Sequence, residues 1–463
     1  MYVDREVFEP PAPVPRSMPP GWLTVINTVL KNPLELWGEP SYNRPWIVAR
    51  FFNQRSLIAN HPGLIRHILV ENAANYRMQT IRQLVLRPIL RDGLLTAEGS
   101  VWRRTRKAIA PVFTPRHAKS FAAQMHAKSV EYVELRYADG DFVVDVSEDM
   151  NQLTFAILSE TLFSGELAVP TENFSEDTER LLHVMGRIDP MDLLQAPGWI
   201  PRLTRTGGEA VLNKFRDIVQ RTIDLRRRRL QKEPEKAPQD FLTLMLEQTG
   251  ERGLTEDELQ DNILTFIGAG HETTSRALAW TLYCVARSPV VRDRMEAEID
   301  SVIADGDDPV VWIERMPQVR AAFEEAMRLY PPAPSINREA IDSDSWSDGT
   351  GERVEITKGM TVLIMPWTLH RHELLWERPR AFIPERFLPQ NRDKIDRFQY
   401  LPFGAGPRVC IGASFAMQEA VIALGVMMSR YRFDVTAATR PWPVQRLTVQ
   451  PKSGLPMRVS RRR

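Results

Sequence analysis

The stretch Phe403-Gly404-Ala405-Gly406-Pro407-Arg408-Val409-Cys410-Ile411-Gly412 constrains the fold more than any other part of the chain. It sets a single cysteine in a glycine-rich loop that opens into an apolar helix running to about Tyr431. Glycines permit positive φ and close backbone approach, so N–H groups of the loop can turn toward the sulfur. The N-terminus of the following helix favours negative charge. Together these features are expected to hold Cys410 as a thiolate. No second cysteine or histidine accompanies it, and Cys284 reads as a small buried hydrophobe. A solitary thiolate suits the metal of a planar cofactor better than a caged zinc ion.

Two cysteines in 463 residues exclude a disulfide framework and an all-cysteine zinc site, and point to a reducing compartment. Sixty basic against 59 acidic side chains exclude a strongly basic nucleic-acid binder. Pro19 and Pro20 break the longest uncharged stretch, Ser17–Leu30. That leaves it short of the roughly 20 apolar residues of a membrane span, so no transmembrane anchor is expected. The N-terminus lacks the layout of a signal peptide, which points to a cytoplasmic protein with Trp22–Leu30 packed on the domain. Six prolines within residues 9–20 make an extended lead-in.

Helical patterns dominate from His61 to about Arg328, interrupted near Pro170, Pro197–Pro201 and Pro234–Pro238. Strands are expected at Trp46–Phe52 and Ser56–Ala59, in Ser335–Ile364 around a polar tip at Asp342–Glu352, and from Phe433 onward. The fold class is mainly α with a smaller β-rich lobe, as one unit over residues 1–463. The run Arg226–Arg229 points all ways round a helix and is expected to be a solvated end, and Arg461–Arg463 a frayed tail.

The longest helical pattern opens on a capping box, Thr255 with Glu258, and carries Gly268-Ala269-Gly270-His271-Glu272-Thr273-Thr274. Each interior glycine costs about 1 kcal/mol relative to alanine, which implies a close approach to the backbone. Ala269 and Thr273 share a face with Gly270 beside them. Glu272 lies about 100° further round. An acid beside an alcohol suits a proton relay. His271 points elsewhere and takes no role.

These segments resemble the cytochrome P450 family. The loop fits the haem-binding pattern Phe-x-x-Gly-x-Arg-x-Cys-x-Gly at Phe403, Gly406, Arg408, Cys410 and Gly412. The helix resembles the acid–alcohol motif. Glu325-Ala326-Met327-Arg328 followed by Pro384-Glu385-Arg386-Phe387 resembles the structural triad Glu325, Arg328 and Arg386, and Trp102 with Arg106 resembles the Trp-x-x-x-Arg helix.

The resemblance implies a triangular-prism fold and haem b (iron protoporphyrin IX) with Cys410 as the iron ligand. It places Trp102, Arg106, Ala269, Arg338, Phe403, Arg408 and Gly412 around the haem, with the arginines on its propionates. It further implies that Glu272 and Thr273 deliver protons to O2 as co-substrate. The expected reaction inserts one oxygen atom into an apolar small molecule, such as a fatty acid, terpenoid or steroid.

Electrons would come from a separate ferredoxin or flavodoxin-like partner with its NAD(P)H reductase, and Arg103, Arg104 and Lys107 are candidates for its docking face. No fused reductase is expected, and the chain is taken as a monomer. A peroxide-driven or isomerising haem-thiolate enzyme and a non-catalytic haem sensor are the alternatives. Tyr76–Leu94, Met185–Ile200, Pro334–Ile336 and Ser453–Pro456 are candidate substrate-lining segments. The first also holds Arg77, Arg82, Arg87 and Arg91.

Overall fold

The helix Glu256–Ala286, 31 residues long, is the element around which the others assemble. Its capping box forms as expected. The Thr255 side chain accepts from the Glu258 N–H, and the Thr255 N–H donates to the Glu258 carboxylate at 2.9 Å. Nearly every residue from Leu259 to Val285 is buried, so the helix is core on most of its circumference. The computed structural model describes residues 7–51, 54–138, 140–167, 189–193, 202, 208–250 and 253–462. Pro170, Pro197–Pro201, Arg463 and most of Met185–Ile200 lie outside them.

Gly270 explains one of the two helical glycines. A Cβ there would stand 2.6 Å from Leu158 Cδ1, on the helix Val146–Phe163. The close approach inferred from the sequence is therefore made at this position by a neighbouring helix. Further along, Trp280 stacks on Tyr330 with centroids 3.7 Å apart, and its Nε1–H donates to the Val449 carbonyl. Cys284 is fully buried in the same core.

The β-rich lobe holds a five-stranded sheet in the order β1-β2-β8-β5-β3: Trp46–Phe51 (β1), Gln54–Ala59 (β2), Thr361–Ile364 (β8), Ile336–Ala340 (β5) and Tyr76–Met78 (β3). β2 and β8 run parallel, with Ser56 opposite Thr361, and the other neighbours are antiparallel. A second sheet joins Asp141–Asp145 (β4), Pro456–Arg461 (β12) and Tyr431–Val435 (β9). Asp344–Ser347 (β6) and Arg353–Ile356 (β7) form the expected hairpin, whose first strand begins inside the stretch read as its tip. β3 and β4 interrupt the region read as helical. Each is too short to show alternation and exists through its partner strand.

Two charge readings are corrected. Arg226 is buried, not solvated. It pairs with Asp240 and donates to Thr243 Oγ1 at 2.8 Å and the Phe163 carbonyl at 3.1 Å. Four successive arginines must present one to the core, and here that one has acidic and carbonyl partners. Arg461 and Arg462 are not frayed: Arg461 ends β12, and Arg462 Nη2 meets Asp300 at 2.7 Å.

The expected triad does assemble. Arg328 grips Glu325 side-on, Nε to Oε2 at 2.7 Å and Nη2 to Oε1 at 2.8 Å, with both groups fully buried. Arg328 also donates to the carbonyls of His370, Pro379 and Ala381. Arg386 Nε lies 3.5 Å from Glu325, and the Ile383 N–H donates to the same carboxylate. Glu325→Ala leaves two buried guanidinium groups without their carboxylate and should cost about 3–5 kcal/mol. A denaturation midpoint close to wild type would remove this structural role.

Candidate functional site

Main-chain geometry builds the cysteine loop. Gly404 and Gly406 take φ of 71° and 74°, a region that disfavours side chains. The Cys410 N–H donates to the Phe403 carbonyl at 2.9 Å, and the Phe403 ring packs partly buried on the main core. A Cβ on Gly406 would fall 1.8 Å from the Leu69 carbonyl oxygen. The loop is thus seated directly on the π-helical turn His67–Glu71. The following helix spans Ala413–Arg430.

Cys410 presents an accessible side chain, yet one ringed by protein. Burial pushes its thiol above the ordinary range, while the Gly412 N–H and the Arg106 charge pull the other way. Desolvation is the largest of these influences. Gly412 has an ordinary φ of −89°, and a Cβ there would meet nothing within 4 Å. Its N–H and its open space face the sulfur's surroundings, not a crowded backbone.

The loop helix packs against the long helix, and Ile411 packs on the apolar cluster that includes Ile263, Phe266 and Ile267. Glu419, on the loop helix, is buried near Thr274. Over Gly268–Thr273 the long helix changes character: Ala269 is exposed and Gly268, Gly270 and Thr273 are half-buried, although the residues on either side are buried. The Thr273 hydroxyl donates to the Ala269 carbonyl at 2.9 Å. Glu272 points another way: its carboxylate accepts from Thr448 Oγ1 at 2.8 Å and is buried. The sequence neighbours Glu272 and Thr273 are therefore not brought together through their side chains. His271 is buried, with Nδ1 2.7 Å from the Ile267 carbonyl, in keeping with its lack of a role.

The arginines converge. Arg408 lies over the Trp102 ring at 4.6 Å, bonds the Ala97 carbonyl and pairs with Glu98 at 2.8 Å. Trp102 thus supports Arg408 directly. Among the described residues the Arg338 side chain bonds only the Asn337 carbonyl, and burial with the neighbouring charges of Arg408 and Arg82 lowers its pKa to about 10. Arg106 is desolvated, sits within reach of the Cys410 charge, and has no ion pair among the described residues. Arg104 pairs with Glu258, whereas Arg103 and Lys107 are exposed.

Sequence reasoning missed Glu98 and Glu419. Glu419 is buried, and its carboxyl is pushed up to about 8, so it keeps its proton at neutral pH. A lone acid inside the apolar run after Cys410 was the available signal. Leu455, in the candidate segment Ser453–Pro456, lies in the main core, and its N–H donates to Asp145.

These residues fit a haem. Inward guanidinium groups outnumber the carboxylates that answer them, which suits an anionic macrocycle. The sulfur is accessible and the long helix carries a small-residue face, and no cluster of three His, Cys, Asp or Glu forms among the described residues. No helix among the described residues is long and apolar enough to cross a membrane.

The sequence profile of the family described as Cytochrome P450 matches residues 44–457. Cyclooctatin synthase of Streptomyces melanosporofaciens is 29% identical, over 86% of this chain and 85% of its own. Protein LUTEIN DEFICIENT 5, chloroplastic, of Arabidopsis thaliana is 27% identical, over 88% of this chain and 70% of its own. A crystal structure of a cytochrome P450, CYP102L1, superposes with a TM-score of 0.79 at 25% identity, covering 98% of this chain and 99% of that one.

The two loop glycines separate strain from collision. Gly404→Ala meets only Ile336 Cδ1 at 3.7 Å and should cost about 1–2 kcal/mol for its φ alone. Gly406→Ala adds a clash with backbone and should cost clearly more, together with haem content. Equal losses in denaturant titrations of the two variants would refute the seating on Leu69.

Proposed function

From the premise that the chain belongs to the cytochrome P450 family, we propose a haem b monooxygenase in which Cys410 would hold the iron as a thiolate. Membership makes it an enzyme of haem iron and O2 that takes a substrate and electrons from a redox partner. The finer reading is an apolar substrate, with electrons from a separate ferredoxin or flavodoxin-like donor. The observation that carries it is Cys410, accessible in its glycine-built loop with the desolvated Arg106 guanidinium within reach.

Bound haem would supply reductive activation of O2 and insertion of one oxygen atom into a C–H or C=C bond. Cys410 would hold the iron as its thiolate, the form that a coordinating metal favours over the buried thiol. Arg106, Arg338 and Arg408 hold the propionates, with Trp102 fixing Arg408 by its ring. Ala269 keeps the helix face low enough for a small ligand. Thr273 carries a hydroxyl proton on that face. Two buried acids lie nearby in the fold, Glu272 bonded to Thr448 and Glu419 near Thr274. Burial pushes the Glu419 carboxyl up to about 8, so it is a further proton carrier beside the relay expected of Glu272 and Thr273. Arg103 and Lys107 present exposed charge for an acidic electron donor.

The ferrous–CO complex of the wild type should show the red-shifted band of a thiolate haem. Cys410→Ser should lose that band and Cys284→Ser keep it. If both keep it, Cys410 is not the ligand.

Thr273→Ala should load haem and bind substrate as the wild type does, yet use NADPH wastefully. The hydroxyl is replaced by a methyl on the face beside Ala269, and water substitutes for it in part. Product per NADPH should fall several-fold, short of the 10²–10⁴ typical when a positioned acid–base group is lost, and hydrogen peroxide should rise. Unchanged coupling with a good substrate would move the relay away from Thr273.

A further inference from the structure

Arg82 belongs to none of the motifs that answer to the haem. It lies on the helix Thr80–Leu90, inside the segment Tyr76–Leu94. Its side chain turns inward. It makes one hydrogen bond, Nη1 to the Ser335 carbonyl at 3.1 Å, and no carboxylate among the described residues pairs with it. Burial pulls its pKa down, and it stands within Coulombic reach of Arg338. A desolvated guanidinium beside another is costly unless an anion joins them.

The backbone around Arg82 is fixed. Asn337 Nδ2 donates to Gln79 Oε1 at 3.0 Å, and Thr80 Oγ1 donates to Glu339 at 2.8 Å, so β5 holds the start of the helix. Next to Ser335, Ile336 reaches over the cysteine loop to within 3.7 Å of the place where a Cβ on Gly404 would be. Arg82 therefore borders the same interior as Cys410. Nη1 is engaged, which leaves the Nε/Nη2 edge. This is the edge by which Arg328 grips Glu325 elsewhere in the protein, and it matches a carboxylate bidentately.

We propose that Arg82 anchors a carboxylate inside the site through its Nε/Nη2 edge. The acid group of an otherwise apolar substrate fits best, because Arg106, Arg338 and Arg408 already stand toward the two propionates of a haem. A propionate is the other source of the same chemistry. The inference deepens the proposed function and rests on it.

The test uses haem-loaded wild type, Arg82→Gln and Arg82→Lys, each first checked for the thiolate band of its ferrous–CO complex. That check tests the haem-thiolate reading separately. Dodecanoic acid and dodecan-1-ol are then titrated by the haem spin-state change, and haem transfer to apomyoglobin is timed. Wild type should bind the acid more tightly than the alcohol. Arg82→Gln should weaken the acid about tenfold or more, as expected for losing a charged hydrogen-bonded partner, and leave the alcohol unchanged. Arg82→Lys should recover part of the preference and serves alone if the glutamine variant does not fold.

If the substitution instead speeds haem transfer several-fold and leaves the acid-to-alcohol ratio alone, the anchored carboxylate is a propionate. If ligand preference and haem transfer are both unchanged, or acid and alcohol weaken alike at an unaltered transfer rate, the anchor is overturned.

Discussion

A guanidinium withdrawn from water has to be answered, and much of this molecule is organised by how each answer is given. Arg328 is met by Glu325 and three carbonyls, and Arg226 by Asp240 and a carbonyl. Arg371 lies 3.7 Å from the centroid of the Trp367 ring and donates to the Trp367 carbonyl. These groups are closed inside the fold and lock it. Arg106, Arg338 and Arg82 are desolvated with no carboxylate partner among the described residues, and Arg106 stands within reach of Cys410. Structural and chemical parts of the protein thus differ in one physical respect: whether the partner of a buried cation is built into the chain.

The same contrast runs through the small residues. Gly406 is required by the Leu69 carbonyl, and Gly270 by Leu158. Gly412 and Ala269 are small where the protein itself does not press on them. The first pair is explained by packing. The second pair is explained by what the site receives, which is why the residue types alone do not distinguish them.

Long-period signals were legible in the sequence. The capping box at Thr255, the apolar run after Cys410 and the charge triad all stand where the residues put them, because each is a local pattern or a dense motif. What escaped depends on partners remote in sequence. β3 and β4 exist by pairing with β5 and β12. Arg226 is buried because Asp240 waits for it. Glu272 turns to Thr448, and Glu419 is buried inside the apolar run. The surroundings of Cys410 divide in the same way: the loop's N–H groups are visible in a sequence, whereas the desolvation that acts against them is a property of the assembled interior.

The five-stranded sheet has a consequence for how the chain is made. β1 and β2 emerge early, but the parallel neighbour of β2 is β8, whose Thr361 pairs with Ser56 some three hundred residues on. β4 likewise meets β12, with Val143 opposite Arg458. On a ribosome adding about 5–20 residues per second, the open edge of β2 waits on the order of tens of seconds for its partner. During that interval the early strands present unpaired backbone to the cell. The growing helical region can fold beside them, but the β-rich lobe can close only after β8 has left the ribosome, so nascent chains are most exposed to chaperones and to mispairing before that point.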